Sequence, residues 1–378
     1  MKKKSLMFIV NNLSFFYSHR MPIAVEALKN NYKVIVAYGV DPKSQISKFE
    51  KLGIRIKKIT VPLDSKISII GEIKSFYSFG KLLFNEKPDI VHLITIRPYL
   101  YGGIFARLFR VKNTVISIAG LGSLFSNRSL VNKIRRIFVY PLFKIVFNNK
   151  SSHIIFQNKN DLYLMQNWVK FLGRFSLVLG SGVNLKKFHN CNKENLDSKN
   201  IIFASRLLKE KGIYEFVSAG RIVKKIHPDA KIIIAGNIDP RNPSSISNKE
   251  LATWEKEGLI EFLGDREDIP ELLCLSNIVC LPSYYGEGLP KILQEASAAG
   301  RAIITTDHPG CRDAIEVNKS GFAIPIKNVN LLAEKIVHLL ENPEKRLAFG
   351  NLGRKIAKSK FDIRIIVEQH LNIYKSFE

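Results

Sequence analysis

Long apolar runs, paired cysteines and metal-ligand clusters are all missing from this 378-residue chain. No stretch approaches the roughly 20 apolar residues of a membrane-spanning helix. The nearest, Ile137–Phe147, is interrupted by Pro141 and Lys144. The four cysteines form no CxxC pair and have no metal-ligand spacing with histidine. We therefore expect a globular protein with reduced cysteines, as is typical of the cytoplasm.

Common signatures of nucleotide and metal sites are absent as well. Neither G-x-G-x-x-G nor G-x-x-x-x-G-K-[ST] occurs, so nothing favours a nicotinamide cofactor or P-loop hydrolysis. No D-x-D pair of carboxylates is present to hold a metal ion. We therefore expect chemistry that uses neither a cofactor nor a metal.

Acidic residues are scarce in the first half of the chain. Residues 1–200 contain 33 Lys and Arg against 10 Asp and Glu, a net charge of +23, whereas residues 201–378 contain 25 against 23, a net of +2. Residues 101–150 contain nine basic residues and no acidic one. This asymmetry predicts an anionic partner for the first half only. Nucleic acid is the less favoured partner, because the basic and aromatic residues are interleaved with apolar helix faces.

What the chain does contain is a regular alternation of short β-branched runs and longer amphipathic ones. Seven candidate strands run from Leu6–Val10 to Ser176–Leu179, and six more run from Asn200–Ala204 to Gly321–Pro325. Strands that alternate with helices predict parallel sheets with helices on both faces. We expect an α/β protein of two doubly wound, Rossmann-like domains, with the carboxyl ends of both sheets facing a cleft.

Composition predicts where these domains begin and end. Residues 186–199 are rich in Asn, Lys and Asp and poor in apolar residues, which is typical of a linker. They would separate an N-terminal domain, residues 1–185, from a C-terminal domain, residues 200–361. Residues 362–378 have apolar residues at helical spacing, and we expect a terminal helix that packs back on the N-terminal domain.

The most informative stretch is residues 286–300, where a strand ends in a glycine loop and a helix follows. Gly288 and Pro290 mark a helix N-terminus whose free N–H groups favour phosphate. Glu287 would lie near that anion, and Glu295, inside the helix, would reach a hydroxyl. The alternative is a pair of solvent-facing glutamates on an ordinary helix.

Two cations follow the first strand of the second half. Arg206 and Lys211 are five residues apart and would project from the carboxyl end of that strand. Beside a helix N-terminus they would bind a diphosphate without a metal. A pair of solvated basic residues in a loop is the alternative.

In the first half, candidate ligand-binding residues follow three of the expected strands. They are His19 and Arg20 after the first strand, His92, Thr95 and Arg97 after the fourth, and Gly120 and Gly122 after the fifth. We expect them at the opposite wall of the cleft, where the glycines allow a ligand to approach the backbone. For each histidine, a hydrogen-bonded core residue is the alternative.

Basic and large apolar residues are combined in residues 126–150. Such basic amphipathic segments lie in the headgroup region of anionic bilayers. The candidate membrane-facing residues are Arg128, Lys133, Arg135, Arg136, Ile137, Phe138, Tyr140 and Lys144. A core helix whose polar side is basic is the alternative.

These motifs together resemble the family 4 retaining glycosyltransferases of the GT-B fold, over nearly the whole chain. The C-terminal motifs that carry the resemblance are Glu287-Gly-Leu-Pro with Glu295, Thr305–Asp313, Arg206 with Lys211, and Gly180–Phe188. Phe16–Arg20, Lys87–Pro98 and Ala119–Gly122 are similar to a narrower group. That group transfers N-acetylhexosamines or related sugars to polyprenyl-diphosphate-linked acceptors in capsule, O-antigen and N-glycan assembly.

The resemblance implies a UDP-sugar donor, a retaining and metal-independent transfer, and a cytoplasmic protein peripheral to the inner face of the plasma membrane. Arg206 and Lys211 would bind the nucleotide diphosphate, Glu295 the ribose and Glu287 the transferred sugar. The other donor-site candidates are Gly236, Gly288, Leu289 and Pro290, and His19 joins Glu287, Arg206 and Lys211 as a catalytic candidate.

The chain departs from the family at two places, and other functions compete. Ala119 stands where many members have histidine, and Asn184 stands where aspartate is commoner. A nucleotide-sugar 2-epimerase can share this fold, but it would need neither an acceptor nor a basic first half. An inactive scaffold is the other alternative, which the intact cation and glutamate motifs disfavour.

Overall fold

A computed structural model of the protein describes residues 3–41, 44–62, 68–122, 125, 130–188, 191, 198–240 and 242–377, without the side chains of 130–132. The chain divides into two compact units. The first comprises Met1–Ser181 and Arg364–Glu378, and the second comprises Gly182–Ile363. Each unit contains one parallel sheet, so the expected α/β class with two doubly wound domains is confirmed.

The first unit is built on a sheet of seven parallel strands. These are β1 (Ser5–Asn12), β2 (Lys33–Val40), β3 (Arg55–Lys58), β4 (Ile90–Ile94), β5 (Asn113–Ile118), β6 (Ser152–Phe156) and β7 (Arg174–Leu177). Their order in the sheet is β3-β2-β1-β4-β5-β6-β7. Sequence order therefore changes direction between β1 and β4. In open α/β sheets, ligands bind beyond the carboxyl ends of the strands at such a point.

Helices connect these strands. They are α1 (Leu13–His19), α2 (Met21–Lys29), α3 (Ile46–Glu50), α4 (Ile69–Glu86), α5 (Gly103–Leu108), α6 (Leu130–Phe147) and α7 (Lys159–Val169), with a π-helical turn at Pro98–Gly102. Local chemistry sets their starts. The Ser68 side chain accepts a hydrogen bond from Gly71 N before α4, and the Asn158 side chain accepts one from Asp161 N before α7.

The second unit repeats this plan with six strands. These are β8 (Asn200–Ala204), β9 (Lys231–Ala235), β10 (Glu261–Phe262), β11 (Ile278–Leu281), β12 (Ala302–Thr306) and β13 (Gly321–Ile324), in the order β10-β9-β8-β11-β12-β13. Its helices are α8 (Ile213–Ile226), α9 (Asn248–Lys256), α10 (Ile269–Leu275), α11 (Lys291–Ala299), α12 (Val329–Glu341) and α13 (Pro343–Ile356), followed by a π-helical turn at Ala357–Phe361. In this sheet the sequence order of the strands changes direction between β8 and β11.

The last helix, α14 (Ile363–Lys375), packs in the core of the first unit from Arg364 onward. Tyr374 is completely buried, and its hydroxyl lies 2.7 Å from Nδ1 of His92. The other ring nitrogen of His92 lies 2.6 Å from the Ser117 hydroxyl. Burial holds the pKa of His92 well below 6.5, with a smaller effect from His370. His92 is thus a neutral core histidine, and it does not line an open site as expected.

Arg20 is placed differently from the expectation as well. It is 1 % exposed, and its Nη1 donates a hydrogen bond to the His19 carbonyl at 3.1 Å. Burial lowers its pKa to about 10, and the neighbouring Tyr374 hydroxyl opposes that effect. Arg20 therefore lies inside the first unit beneath α14. The sequence could not show this, because the covering helix is more than 340 residues away.

Two of the four cysteines are joined, which corrects the expectation that all are reduced. Cys191 and Cys274 form a disulfide with Cα atoms 4.7 Å apart, while Cys280 and Cys311 are free and buried. Arg301 holds the two segments together by donating hydrogen bonds to the carbonyl of Cys191 at 3.2 Å and of Cys274 at 2.8 Å.

Candidate active site

The candidate donor site lies at the carboxyl ends of three neighbouring strands of the second unit. Residues 205–212 follow β8, residues 282–290 follow β11, and residues 307–311 follow β12. Because β11 pairs with both β8 and β12, these three loops meet at one edge of the sheet. This is also the point at which strand order changes direction, the expected position of a ligand site.

An ion pair joins two of these loops. Lys211 Nζ lies 2.5 Å from Glu287 Oε2, and the two side chains are only 9 % and 14 % exposed. Gly212 makes this approach feasible, because it has φ +83° and a Cβ there would overlap the carbonyl of Pro282. The structure therefore brings together two of the predicted site residues, although the prediction did not pair them with each other.

Ser283 fixes the position of the Glu287 carboxylate. Its hydroxyl lies 3.0 Å from Glu287 Oε1 and 3.2 Å from the Glu210 carbonyl, and it accepts a hydrogen bond from Tyr285 N at 3.2 Å. Ser283 is completely buried. Ser283 is not among the site residues predicted from the sequence, although its place between a buried strand and the glycine loop is a usable signal.

The loop after β12 supports the loop that carries Glu287. Gly310 has φ +80°, and a Cβ at this position would overlap the carbonyl oxygen of Gly288 and lie 2.8 Å from that of Glu287. Only glycine combines this backbone conformation with so close an approach. The buried Cys311 beside it has its pKa raised by burial to about 12, with a further effect from Glu287. It is therefore a neutral packing residue.

Helix α11 begins next to this ion pair. The sequence predicts Pro290 as the first helical residue, whereas in the structure Pro290 is the N-cap and the helix begins at Lys291. The first N–H groups of such a helix have no intrahelical partner and attract anions. Within α11, Glu295 lies 3.5 Å from Lys291 Nζ. Burial raises the pKa of Glu295, and this effect outweighs those of Lys291 and Lys187.

The remaining donor-site candidates lie around this centre. Arg206 follows β8 and is exposed. Within the part of the chain that the structure describes, its guanidinium has no carboxylate partner. Gly236, after β9, has φ +150°, and a Cβ there would overlap the carbonyl of Ser205, the residue before Arg206. Gly236 thus shapes the loop that carries Arg206. Leu289, in the loop before α11, is buried.

The candidate ligand-binding residues of the first unit follow neighbouring strands of the sheet, but their surroundings differ. Thr95 has φ +75°, a strained conformation for a β-branched residue, and its buried hydroxyl has no partner among the described residues. Arg97 is neutralised by Glu72, with Nη2 2.7 Å from Oε1. Gly120 and Gly122, after β5, both have positive φ.

His19 lies at the end of α1 and is half-buried. Its Nδ1 is 2.6 Å from the Ser18 hydroxyl and 3.1 Å from the Phe15 carbonyl, and its ring stacks on Phe15 at 4.3 Å. These contacts hold the ring in one orientation.

Helix α6 presents apolar and basic side chains to solvent together. Ile137 is 71 % and Phe138 75 % exposed, and Lys133, Arg135 and Lys144 are exposed as well. Of the other candidates, Tyr140 is at the border of exposure, Arg136 is half-buried over the Phe125 ring, and Arg128 lies outside the described residues. The opposite side of α6 packs in the core through Phe143, Val146 and Phe147.

No described helix has the length and hydropathy needed to cross a bilayer. Nor do three or more His, Cys, Asp or Glu side chains in this part of the chain come together as a metal site would require.

Comparison with known families and proteins gives consistent matches. The family described as "Glycosyl transferases group 1" matches residues 185–356, and the family described as "Glycosyl transferase 4-like" matches residues 5–158. The chain is 31 % identical to the N,N'-diacetylbacillosaminyl-diphospho-undecaprenol alpha-1,3-N-acetylgalactosaminyltransferase of Campylobacter jejuni, over 95 % of both chains. It is 26 % identical to the UDP-Gal:alpha-D-GlcNAc-diphosphoundecaprenol alpha-1,3-galactosyltransferase of Escherichia coli, over 84 % of both.

Solved structures share the fold at lower identity. A sucrose-phosphate synthase from Thermosynechococcus elongatus has a TM-score of 0.78 at 18 % identity, over 99 % of both chains. An Anabaena protein solved with UDP and glucose has a TM-score of 0.75 at 17 % identity, over 99 % of this chain and all of that one. At these identities the similarity concerns the fold alone.

Proposed function

The chain belongs to the group 1 glycosyltransferases, and we propose that it transfers an N-acetylhexosamine from a UDP-sugar to a polyprenyl-diphosphate-linked saccharide. The observation that carries the proposal is the 31 % identity, over 95 % of both chains, to a relative named as an N-acetylgalactosaminyltransferase acting on a diphospho-undecaprenol-linked sugar. The UDP donor is supported by the name of the Escherichia coli relative, which gives UDP-Gal. The physical support is the donor site itself. It combines an exposed arginine, a buried Lys211–Glu287 pair and the start of α11 at one sheet edge.

The proposed chemistry depends on stabilising the leaving group. As the bond between the anomeric carbon and the diphosphate oxygen breaks, negative charge grows on the diphosphate. In this proposal Arg206, Lys211 and the first N–H groups of α11 would stabilise that charge. The acceptor hydroxyl forms the new bond on the same face of the sugar, and its proton passes to the leaving diphosphate oxygen. The transfer would therefore retain configuration without a separate base or metal.

Glu287 is assigned to the transferred sugar in this scheme. Its carboxylate is held by Lys211 and Ser283, with oxygens at 2.5 Å and 3.0 Å from their polar atoms. A carboxylate fixed in this way accepts hydrogen bonds from sugar hydroxyls in one geometry, which suits donor recognition. Glu295 lies further along α11 and would bind the ribose.

A transfer assay tests the proposal. We expect label from radioactive UDP-N-acetylgalactosamine or UDP-N-acetylglucosamine to enter the lipid phase of a bacterial membrane extract, with release of UDP and without inhibition by EDTA. UDP-galactose and UDP-glucose are the matched controls for the N-acetyl group. Epimerised free donor without labelled lipid would contradict the proposal and indicate an epimerase.

We also propose that the first unit docks on the anionic inner face of the plasma membrane, where such an acceptor lies. The supports are the +23 charge of residues 1–200 and the exposed apolar and basic residues of α6. A second apolar row, not predicted from the sequence, lies on α4, where Ile69, Ile73 and Tyr77 are all more than 60 % exposed. Apolar side chains at this density on a surface are typical of membrane contact.

Liposome flotation tests this docking. We expect binding to increase with the fraction of anionic lipid and to decrease with salt, because each Lys or Arg near the surface contributes about 1 kcal/mol and is screened over about 8 Å at physiological salt. The variant Lys133→Glu with Arg135→Glu should bind several-fold more weakly. The control makes the same charge change at Lys225 and Lys249, exposed residues of the second unit. Equal binding by the two variants would contradict a specific role of α6.

A further inference from the structure

Gln294 is a completely buried polar residue that the reaction scheme does not use. It lies in the first half of α11, and its carboxamide contacts backbone on two sides. Nε2 donates a hydrogen bond to the Leu289 carbonyl at 3.1 Å, with a longer contact to the Pro290 carbonyl at 3.5 Å. Oε1 accepts a hydrogen bond from Gly182 N at 3.0 Å. One side chain therefore joins two backbone segments that are more than 100 residues apart.

One of these backbone segments precedes the start of α11, and the other is where the chain enters the second unit. Leu289 and Pro290 end the loop that carries Glu287, immediately before the helix start to which we assign the diphosphate. Gly182 is the first residue of the second unit. Beside it, Val183 N donates to the Phe361 carbonyl at 2.8 Å, and Ile363 N donates to the Val183 carbonyl at 2.9 Å. The two passages of the chain between the units thus run side by side at Gly182.

We propose that Gln294 is a positioning residue for the donor, which fixes the loop before α11 by tying it to the connecting segment at Gly182. This inference rests on the proposed function, because it assumes that UDP binds at the start of α11. The Glu287 end of the loop is already held by Lys211 and supported by Gly310. Gln294 holds the other end, so that the N–H groups facing the phosphate are preorganised.

The chemistry of the site requires an amide. Gly182 offers an N–H and Leu289 offers a carbonyl, so the side chain between them must accept on one side and donate on the other. Methionine has nearly the length of glutamine, but it cannot donate a hydrogen bond and accepts one only weakly, and an ionised glutamate does not donate. Because the amide joins both segments, a ligand that orders the loop also stabilises the hydrogen bond of Gly182. UDP binding should therefore slow hydrogen exchange at the backbone amide of Gly182.

The variant Gln294→Met tests this inference against a matched control. The control is Asn277→Leu, which removes another completely buried amide of the same unit. The Asn277 Oδ1 accepts hydrogen bonds from Asn200 N at 2.9 Å and the Ser198 hydroxyl at 2.8 Å, at the amino ends of β8 and β11. Each variant leaves a backbone N–H without its partner, a buried one at Gly182 and a partly buried one at Asn200, and we expect both to lose thermal stability.

UDP titration by calorimetry then separates positioning from stability. We expect the Kd for UDP and the KM for the UDP-sugar to rise at least tenfold in Gln294→Met, with a smaller change in kcat, and to stay within twofold of wild type in Asn277→Leu. Equal Kd values in the two variants would overturn the inference. Failure of the wild-type protein to bind UDP would overturn the proposed function instead.

Hydrogen exchange gives a second readout that a purely structural role would not change. In the wild-type protein, saturating UDP should slow exchange of the amides at residues 182–184 several-fold. In Gln294→Met at saturating UDP, this protection should be lost, while protection of the loop amides at residues 286–289 remains. Unchanged exchange at 182–184 on UDP binding to the wild-type protein would contradict the coupling.

Discussion

Replacing Lys211 with alanine is expected to abolish sugar transfer while leaving the fold intact. The ammonium group is lost from the place where charge develops on the leaving diphosphate, and Glu287 loses its partner at 2.5 Å. Removal of one preorganised donor of this kind costs about 3–4 kcal/mol of transition-state stabilisation, a decrease in kcat of about 10²–10³-fold. Glu287→Ala should be equally severe, because it also removes the group assigned to the sugar hydroxyls. UDP release measures the activity, and circular dichroism with a thermal melt checks the fold.

Lys209→Ala provides the matched control. Lys209 lies in the same short 3₁₀ turn as Lys211, but its side chain is exposed. Its removal should leave turnover within about twofold of wild type. If Lys211→Ala or Glu287→Ala also retained near wild-type turnover, the assignment of the donor site would be wrong.

Replacing Tyr374 with alanine is expected to give the largest loss of stability of any single change considered. The side chain is completely buried, and truncation of a buried aromatic residue costs about 3–5 kcal/mol. The loss of its hydroxyl also leaves a ring nitrogen of His92 without its partner at 2.7 Å. In a unit of this size the midpoint of unfolding should fall by roughly 10 °C.

Differential scanning calorimetry measures this effect unit by unit. The transition of the first unit should move to lower temperature, and that of the second unit should stay within about 2 °C of its wild-type position, serving as an internal reference. Tyr163→Ala is the control for loss of an aromatic residue of the first unit, because that side chain is 66 % exposed. An equal shift in both variants would show that α14 contributes little to the first unit.

Much of the fold could be predicted because its signals are local. Parallel strands buried on both faces appear as short apolar runs, and the seven and six candidate runs correspond to the seven and six strands of the two sheets. The glycine loop before α11 was equally visible, since Gly288 and Pro290 mark the start of a helix within four residues. In each case the residues that form the element also carry its pattern.

What the sequence could not show are contacts between distant residues. Gln294 looks like an ordinary helical glutamine until Gly182 is placed against it. Arg20 follows a predicted strand as a ligand-binding arginine would, and only α14 buries it. The Cys191–Cys274 disulfide spans 83 residues without a motif. The role of each of these residues depends on which distant segment packs against it. Neither composition nor local sequence pattern contains that information.

The return of α14 to the first unit has a consequence for protein synthesis. Tyr374 completes a core whose other members, including His92, are made before residue 182. The ribosome must translate all of Gly182–Ile363 in between, which is 363 − 182 + 1 = 182 residues. At about 5–20 residues per second this takes roughly 10–40 s. For that time the nascent first sheet lacks the helix that packs on Phe8 and His92 in the complete chain. Residues 1–181 expressed alone should therefore need chaperones and be recovered mainly as aggregates.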